Sequence, residues 1–556
     1  MQMYKKLLLI LFVTAALSNA GRTMLSNDFS YSVPHYSVTI INVNMSEIRF
    51  LEEAGFLIEW AHGGKAMIYV DAQQEDMLRH IGFNPVPVPI TEPLVPYPSL
   101  DDIFNSIDAV VAAHPNICRK ETIGTSVEGR PIVAVIVSDN PSTEEIEPEM
   151  RILGGIHGDE QASSTTTLHY LEILTDNYAT SSMCAYIVNN TETWIIPVLN
   201  PDGYFHDQRS NANGIDLNRN LSYMWTGSGG GSAPFCEPET AALRDLTMQS
   251  WPTVENFINP FTAGLSLHGG AACINTVWNY TGNPLPEDSG VVHQQAIDYA
   301  AVPGIVSYFS GSFWIAYPGW SWYETHGDVN DWSYGECGTI DQTIEVHENK
   351  HVSDWPGVAN AHYMAILEFF TQSTYGIWGT VTNTSGDPID AQLSIGIHDG
   401  TDSESLRFCR TDVTLGDYHK TLLPDTYDVV VTAGGYTSQS VENVSVGSQE
   451  RVEVSFVLSN VGIQGSEEAF EGAFSVFPNP TRESCSFVIP QTGVGGIVSI
   501  YDITGRSIIG LDVSPLAENF VWNLRNSNGS EVPTGIYIAR FSSGASNWNT
   551  MVIVNR

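Results

Sequence analysis

Apolar and polar positions follow three different rhythms along this chain. From residue 96 to about 372, short apolar runs of strand length alternate with longer amphipathic stretches, the pattern of an α/β domain whose mixed sheet is flanked by helices. Buried strands are predicted at Arg151 to Leu153, Trp194 to Leu199, Ala263 to Leu267 and Thr343 to Val346. Leu168, Leu171 and Leu174 share one face of a predicted helix. From Gly376 to about Leu458 the pattern becomes short alternating strands with turn signals at Ser385-Gly386-Asp387-Pro388 and Ala433-Gly434-Gly435, which predicts a small β-sandwich. Ser459 to Gly472 reads as a linker, and a second all-β unit covers residues 474–556. Ahead of the α/β domain, residues 21–95 hold apolar stretches (Tyr36 to Val43, Ala66 to Val70) around a helix at Ser46 to Glu53. The proline-rich run Pro85 to Pro89 reads as a linker.

Composition adds a compartment and removes several partners. Of 556 residues, 63 are acidic and 23 basic, a formal charge of -40 that disfavours nucleic acid and anionic membrane surfaces. Residues 1–20 read as a signal peptide: Lys5 and Lys6, an apolar run from Leu7 to Leu17, and a small-residue site at Ser18-Asn19-Ala20. That run is too short for an ordinary membrane span and no later segment approaches one, so the expectation is a secreted or cell-surface protein without a transmembrane segment. The seven cysteines are odd in number, which leaves at least one unpaired or paired between chains, and none forms a Cys-x-x-Cys zinc array.

The candidate chemistry begins at Gly154-Gly155-Ile156-His157-Gly158-Asp159-Glu160, where a His-x-x-Glu follows a strand and opens a helix, so that His157 and Glu160 can converge. A catalytic zinc needs three protein ligands and an open position. His268, at the end of a predicted strand and followed by Gly269-Gly270, is the best third candidate. Asn200-Pro201-Asp202-Gly203, Arg209, Asn213 to Asn220 and Glu345 follow in an order that resembles the carboxypeptidase A/B superfamily of zinc peptidases over residues 96–372. Tyr97 to Leu100 and Gly124 to Arg130 are similar to that family's opening segments.

The resemblance implies one Zn2+ held by His157, Glu160 and His268, with Glu345 as general base for the attacking water and Arg209 stabilising the oxyanion. It implies that Asn218 and Arg219 hold the terminal carboxylate of a peptide or protein substrate and that Tyr323 caps it, while the pattern of residues 21–95 itself reads as a compact β/α prosegment. Glu348, beside the base, would face away by strand alternation, and His347 has no implied role. Residues 376–458 resemble the transthyretin-like domain of the superfamily's regulatory branch. Many of that branch's members prefer C-terminal Lys or Arg. Here the two side-chain pocket positions are Asn279 and Asn330, which predicts a neutral polar pocket for uncharged residues. Phe474 to Pro480, Val498 to Arg506 and Val532 to Arg540 resemble the sorting domains read by type IX secretion machinery. A cell-wall peptide amidase and an inactive peptide-binding surface protein are the alternative readings.

Overall fold

The computed structural model describes residues 37–88, 94–248, 261–395 apart from 312, 409–460 and, with short interruptions, 475–554. The signal segment and nearly all of the linker expected at 459–472 lie outside the described residues. The chain divides into two compact units, 1–461 and 462–556.

Within the first unit, residues 37–87 form a βαββαβ layer. It comprises β1 (Ser37–Asn42), a helix Met45–Glu53, β2 (Leu57–His62), β3 (Lys65–Val70), a helix Ala72–His80 and β4 (Val86–Pro87), with the sheet ordered β2-β3-β1-β4. Each helix starts on a capping box, Asn44 with Glu47 and Asp71 with Gln74, which satisfies two otherwise orphaned backbone donors. The proline run expected to be a linker instead supplies the edge strand β4, paired only with β1, a place where a residue lacking an N–H is tolerated.

The next eight strands make one mixed sheet: β5 (Cys118–Thr125), β6 (Pro131–Val137), β7 (Glu149–Leu153), β8 (Glu192–Ile196), β9 (Phe261–His268), β10 (Ala271–Thr276), β11 (Trp314–Pro318) and β12 (Ile340–His347), ordered β11-β10-β12-β9-β7-β8-β6-β5. The central four, β8, β7, β9 and β12, run parallel. Their strands are buried on both faces, which is why they read as continuous apolar runs. The strand expected to reach Leu199 stops at Ile196, since Pro197 cannot donate to a ladder. Helices Leu100–Ala113, Gln161–Asp176 and Trp355–Ser373 cover one apolar core, and Pro238–Met248 and Val329–Cys337 cover a second. Inside the sheet, Arg151 of β7 pairs with Asp341 of β12 across Gly264 of β9, both side chains at 0% exposure.

Residues 376–458 form two small sheets around Ile377, Leu393, Tyr418, Val429 and Phe456. Strand Asp425–Thr432 alternates buried and exposed positions, as the period-two pattern requires. This sandwich is bonded to the α/β domain: buried Lys420 Nζ lies 3.0 Å from Asp288 Oδ2, and Tyr334 Oη donates to the same oxygen at 3.0 Å. The second unit has strands Ser475–Phe477, Cys485–Val488 and Asn519–Trp522 in one sheet and four longer strands in another, around Phe487, Ile500, Trp522 and Phe541. None of the seven cysteines, all among the described residues, forms a disulfide.

Candidate metal centre and substrate cleft

The candidate site lies where the central parallel strands end. His157 and Glu160 follow β7, His268 closes β9, and Glu345 stands beside His268 in the register of β12 with β9. The loop bearing His157 is pressed onto the Asn-Pro-Asp-Gly turn: a Cβ on Gly158 would lie 1.9 Å from the carbonyl carbon of Gly203. Asn200 braces the contact, accepting from Gly203 N at 2.9 Å and donating to the carbonyls of Ile156 and Arg209, both at 3.3 Å. Buried Asp202 accepts from Ser126 Oγ at 2.6 Å, Glu128 N at 2.8 Å and Arg130 at 2.6 Å. The two sequence motifs, Gly124 to Arg130 and Asn200 to Gly203, therefore brace the loop beneath the site.

His157 Nδ1 sits 2.7 Å from one Glu160 oxygen and His268 Nδ1 3.1 Å from the other. The opposite ring nitrogens are held elsewhere, His157 Nε2 by Asp216 at 3.0 Å and His268 Nε2 near Ser266 Oγ at 3.3 Å. Burial pushes both imidazoles down, His268 well below its usual value, which favours the neutral form that keeps one ring-nitrogen lone pair. Burial, with Glu59 and Glu345 close by, pushes Glu160 well up. Two neutral nitrogens and a carboxylate gathered this way are stabilised by a shared cation. Their ligand atoms lie within 4.8 Å of one another, and tetrahedral zinc at ~2.1 Å would draw them to about 3.4 Å. The donor set fits zinc. Burial also raises Glu345 well above the carboxylate range, and its buried Oε2 has no partner, leaving it free to receive a proton.

Arg209 is buried among carboxylates: it donates to Asp216 Oδ2 at 3.0 Å and pairs with Glu59 of β2. Lys350 Nζ reaches Glu59, Asp159 and Glu160, each at 3.0 Å. Burial alone would raise the Glu59 carboxyl, but Arg209 and Lys350 hold it down at about 2. Tyr69 of β3 donates to Asp159 at 2.6 Å and lays its ring near Lys350, at 4.6 Å, and Arg209, at 5.6 Å. Tyr323 Oη donates to Glu59 O at 2.9 Å and accepts from Arg219 at 3.0 Å. Trp322 and Tyr323 share an apolar cluster with Ile58 and Ile68 of the N-terminal layer.

All ten residues singled out in the sequence, His157, Glu160, Arg209, Asn218, Arg219, His268, Asn279, Tyr323, Asn330 and Glu345, line one cavity. Asn218 presents little side chain to it, since its Oδ1 accepts from Val329 N at 3.0 Å. His347 lies against Phe309 and outside the cavity lining. Sequence reasoning missed Glu59, Tyr69, Lys350 and Asp328. Only Asp216, within the Asp-Leu-Asn-Arg-Asn run, carried a signal, as the carboxylate that could orient a ligating histidine.

A mixed open sheet with a buried two-histidine, one-glutamate cluster at its parallel strand ends presents a candidate metal centre. Residues 103–370 match the family described as Zinc carboxypeptidase and residues 475–555 the Secretion system C-terminal sorting domain. The chain thus carries a segment that matches the zinc carboxypeptidase family and another that matches a sorting domain, which implies export. It is 29% identical to human carboxypeptidase D over 391 residues, 65% of this chain but 26% of that protein. It is 27% identical to the human carboxypeptidase N catalytic chain, covering 64% of this chain and 84% of that one. The fold is shared with a carboxypeptidase A from Helicoverpa armigera, at TM-score 0.51 and 18% identity, over 61% of this chain and 97% of that one. Among the described residues no helix is long and apolar enough to cross a membrane.

Proposed function

We propose that this protein is an exported zinc metallocarboxypeptidase that removes C-terminal residues from peptides, held latent by its own N-terminal layer. One observation carries the reading: the metal triad, Glu345, Arg209 and Arg219 line a single cavity. Bound zinc would polarise the scissile carbonyl and make a water acidic enough to ionise near neutral pH. Glu345 Oε2 takes the water's proton and passes it to the leaving amine. Arg209, already fixed by Asp216, offers its guanidinium to the developing oxyanion, so little reorganisation is needed. Arg219 binds the terminal carboxylate with Tyr323 closing over it, which limits cleavage to the last residue.

Glu59 supports the latency. Its carboxylate pairs with Arg209, which lines the cleft, and with Lys350 behind it, while its carbonyl ties down Tyr323, so peptide and N-terminal layer compete for Arg209 and Tyr323. The test uses the full-length chain before and after limited proteolysis of the connection following β4. Peptides are incubated with and without a zinc chelator, with Glu345→Gln as control. Stepwise loss of single C-terminal residues, dependent on zinc and Glu345, is expected after proteolysis. Equal rates before and after would reject latency, and no trimming at all would reject the enzyme.

A further inference from the structure

Strand β7, which leads to His157 at one end, begins at the other on a cluster of carboxyl groups. Glu149 opens β7 and Glu192 opens β8, side by side in the parallel register of the two strands. Glu149 is 8% exposed, and its carboxyl is hydrogen-bonded to that of Glu144 on the preceding loop. Two carboxyl groups share a hydrogen bond only while one of them carries a proton, because an ionised carboxylate accepts and cannot donate. The β-sandwich brings two more carboxylates to the same corner, Asp417 at the start of strand Asp417–Thr421 and Asp412 in the turn before it.

Both sandwich carboxylates are tied in place. Asp412 Oδ1 accepts from Thr414 N at 2.6 Å and Leu415 N at 3.0 Å, and Asp412 N donates to Asp417 O at 2.7 Å, closing the turn. Asp417 is 4% exposed, and its Oδ2 lies 2.9 Å from His419 Nε2. Burial pushes His419 below its usual value, so near neutral pH it brings no positive charge. Among the described residues no lysine or arginine is ion-paired with Glu144, Glu149, Glu192, Asp412 or Asp417. Arg119 acts on Glu192 but pairs with Glu121 at 2.6 Å, and Arg451, beside His419, donates to Asn190 Oδ1 at 3.4 Å. Burial, and then the charges of Asp417, Glu144, Glu192 and Asp412, push Glu149 well above the carboxylate range. Burial also pushes Glu147, on the same loop beside Ser138, Asp139, Glu145 and Glu192, up to about 8.

We propose that this corner is a proton-dependent joint: the sandwich turn from Asp412 to Asp417 seats against the α/β domain while Glu149 carries its proton, and lifts away when that proton leaves. Ionisation removes the donor from the bond to Glu144 and leaves Glu149 charged among four other carboxylates. The rest of the interface stays anchored, since Thr421 Oγ1 donates to Ser373 O at 2.6 Å, Leu422 N donates to Tyr375 O at 3.1 Å, and Lys420 pairs with Asp288. The seated state holds its proton more tightly than the lifted one. Its advantage is therefore complete in acid, below the ordinary glutamate value of about 4.3, and is lost as pH rises through the raised value of the seated carboxyl.

Hydrogen exchange on the full-length chain tests this, read by mass spectrometry in peptides covering residues 411–421 and corrected for the pH dependence of free amides. Between pH 5.5 and 8.5 the wild-type turn should lose protection by about tenfold or more, the change that each unit of difference between seated and lifted pKa produces, while peptides covering β9 keep theirs. Glu149→Gln keeps a donor for Glu144 but cannot ionise, so its turn should show at pH 8.5 the protection it has at pH 5.5. A glutamate with a merely structural role would give the opposite pattern, with less protection in the variant at every pH. Protection of the wild-type turn that does not change with pH overturns the joint. The same loss in Glu149→Gln overturns Glu149 as its proton carrier, and an equal loss in β9 shows general loosening instead of a local joint.

Discussion

Replacing Glu59 by Gln should switch the unprocessed chain on. The Glu59 side chain is 4% exposed and lies between Arg209 and Lys350, so the change strips a buried carboxylate from two buried cations while keeping its shape. Breaking a buried ion pair on one side costs roughly 3–5 kcal/mol. Arg209 retains Asp216 and Lys350 retains Asp159, which argues for the lower end. A loss of about 3 kcal/mol from the closed state alone shifts its balance with an open state by about a hundredfold. The assay is the initial rate on one peptide for unprocessed wild type and unprocessed Glu59→Gln, with both repeated after proteolysis of the connection following β4. The expected result is a rise of about two orders of magnitude before proteolysis, narrowing to equality afterwards. Equal rates before proteolysis would show that Glu59 does not latch the cleft, and the reasoning from its two ion pairs would fail.

Arg151→Met should destabilise the α/β domain by about 3 kcal/mol or more, because Asp341 is then left charged and unpaired at 0% exposure; denaturant titration measures it. Gly158→Ala should abolish stoichiometric zinc binding, read by metal analysis of the folded fraction, since its Cβ would meet the Gly203 backbone at 1.9 Å. His362 is buried against Val346 O and Tyr299 Oη, and burial holds it neutral down to about 4. The unfolded chain binds this proton below about pH 6.5, so the contribution present above that pH is lost as pH falls towards 4, about 3 kcal/mol in all. Unfolding free energies measured at pH 4.5 and 7 should differ less in His362→Gln than in wild type.

What the sequence could disclose was local. Each strand leading to the candidate site announced itself as an apolar run, and His157, Glu160, His268 and Glu345 each stand at or near the end of one, so their convergence on one cavity was legible from order and position. Asn200-Pro201-Asp202-Gly203 was legible as a motif but not as a brace, because its partners Ile156, Arg209 and Arg130 come from three separate segments. Glu59 was silent: the glutamate sits in an ordinary strand, and its partner is 150 positions away. Asp328 looks in sequence like any helix-capping aspartate, which it is. Only the approach of Asn279 from the far side brings it into the cavity wall.

The bond between Lys420 and Asp288 changes where this chain can be divided. Composition marks a boundary near residue 372, yet a fragment ending there would leave Asp288 and Tyr334 facing water or one another without the ammonium that joins them. Tyr334 lies on the helix that Asp328 caps, which contributes Asn330 to the cavity wall. The β-sandwich is thus a buttress behind one wall of the cleft, and a gene rearrangement that swapped it for another module would remove that support without touching a residue of the cleft.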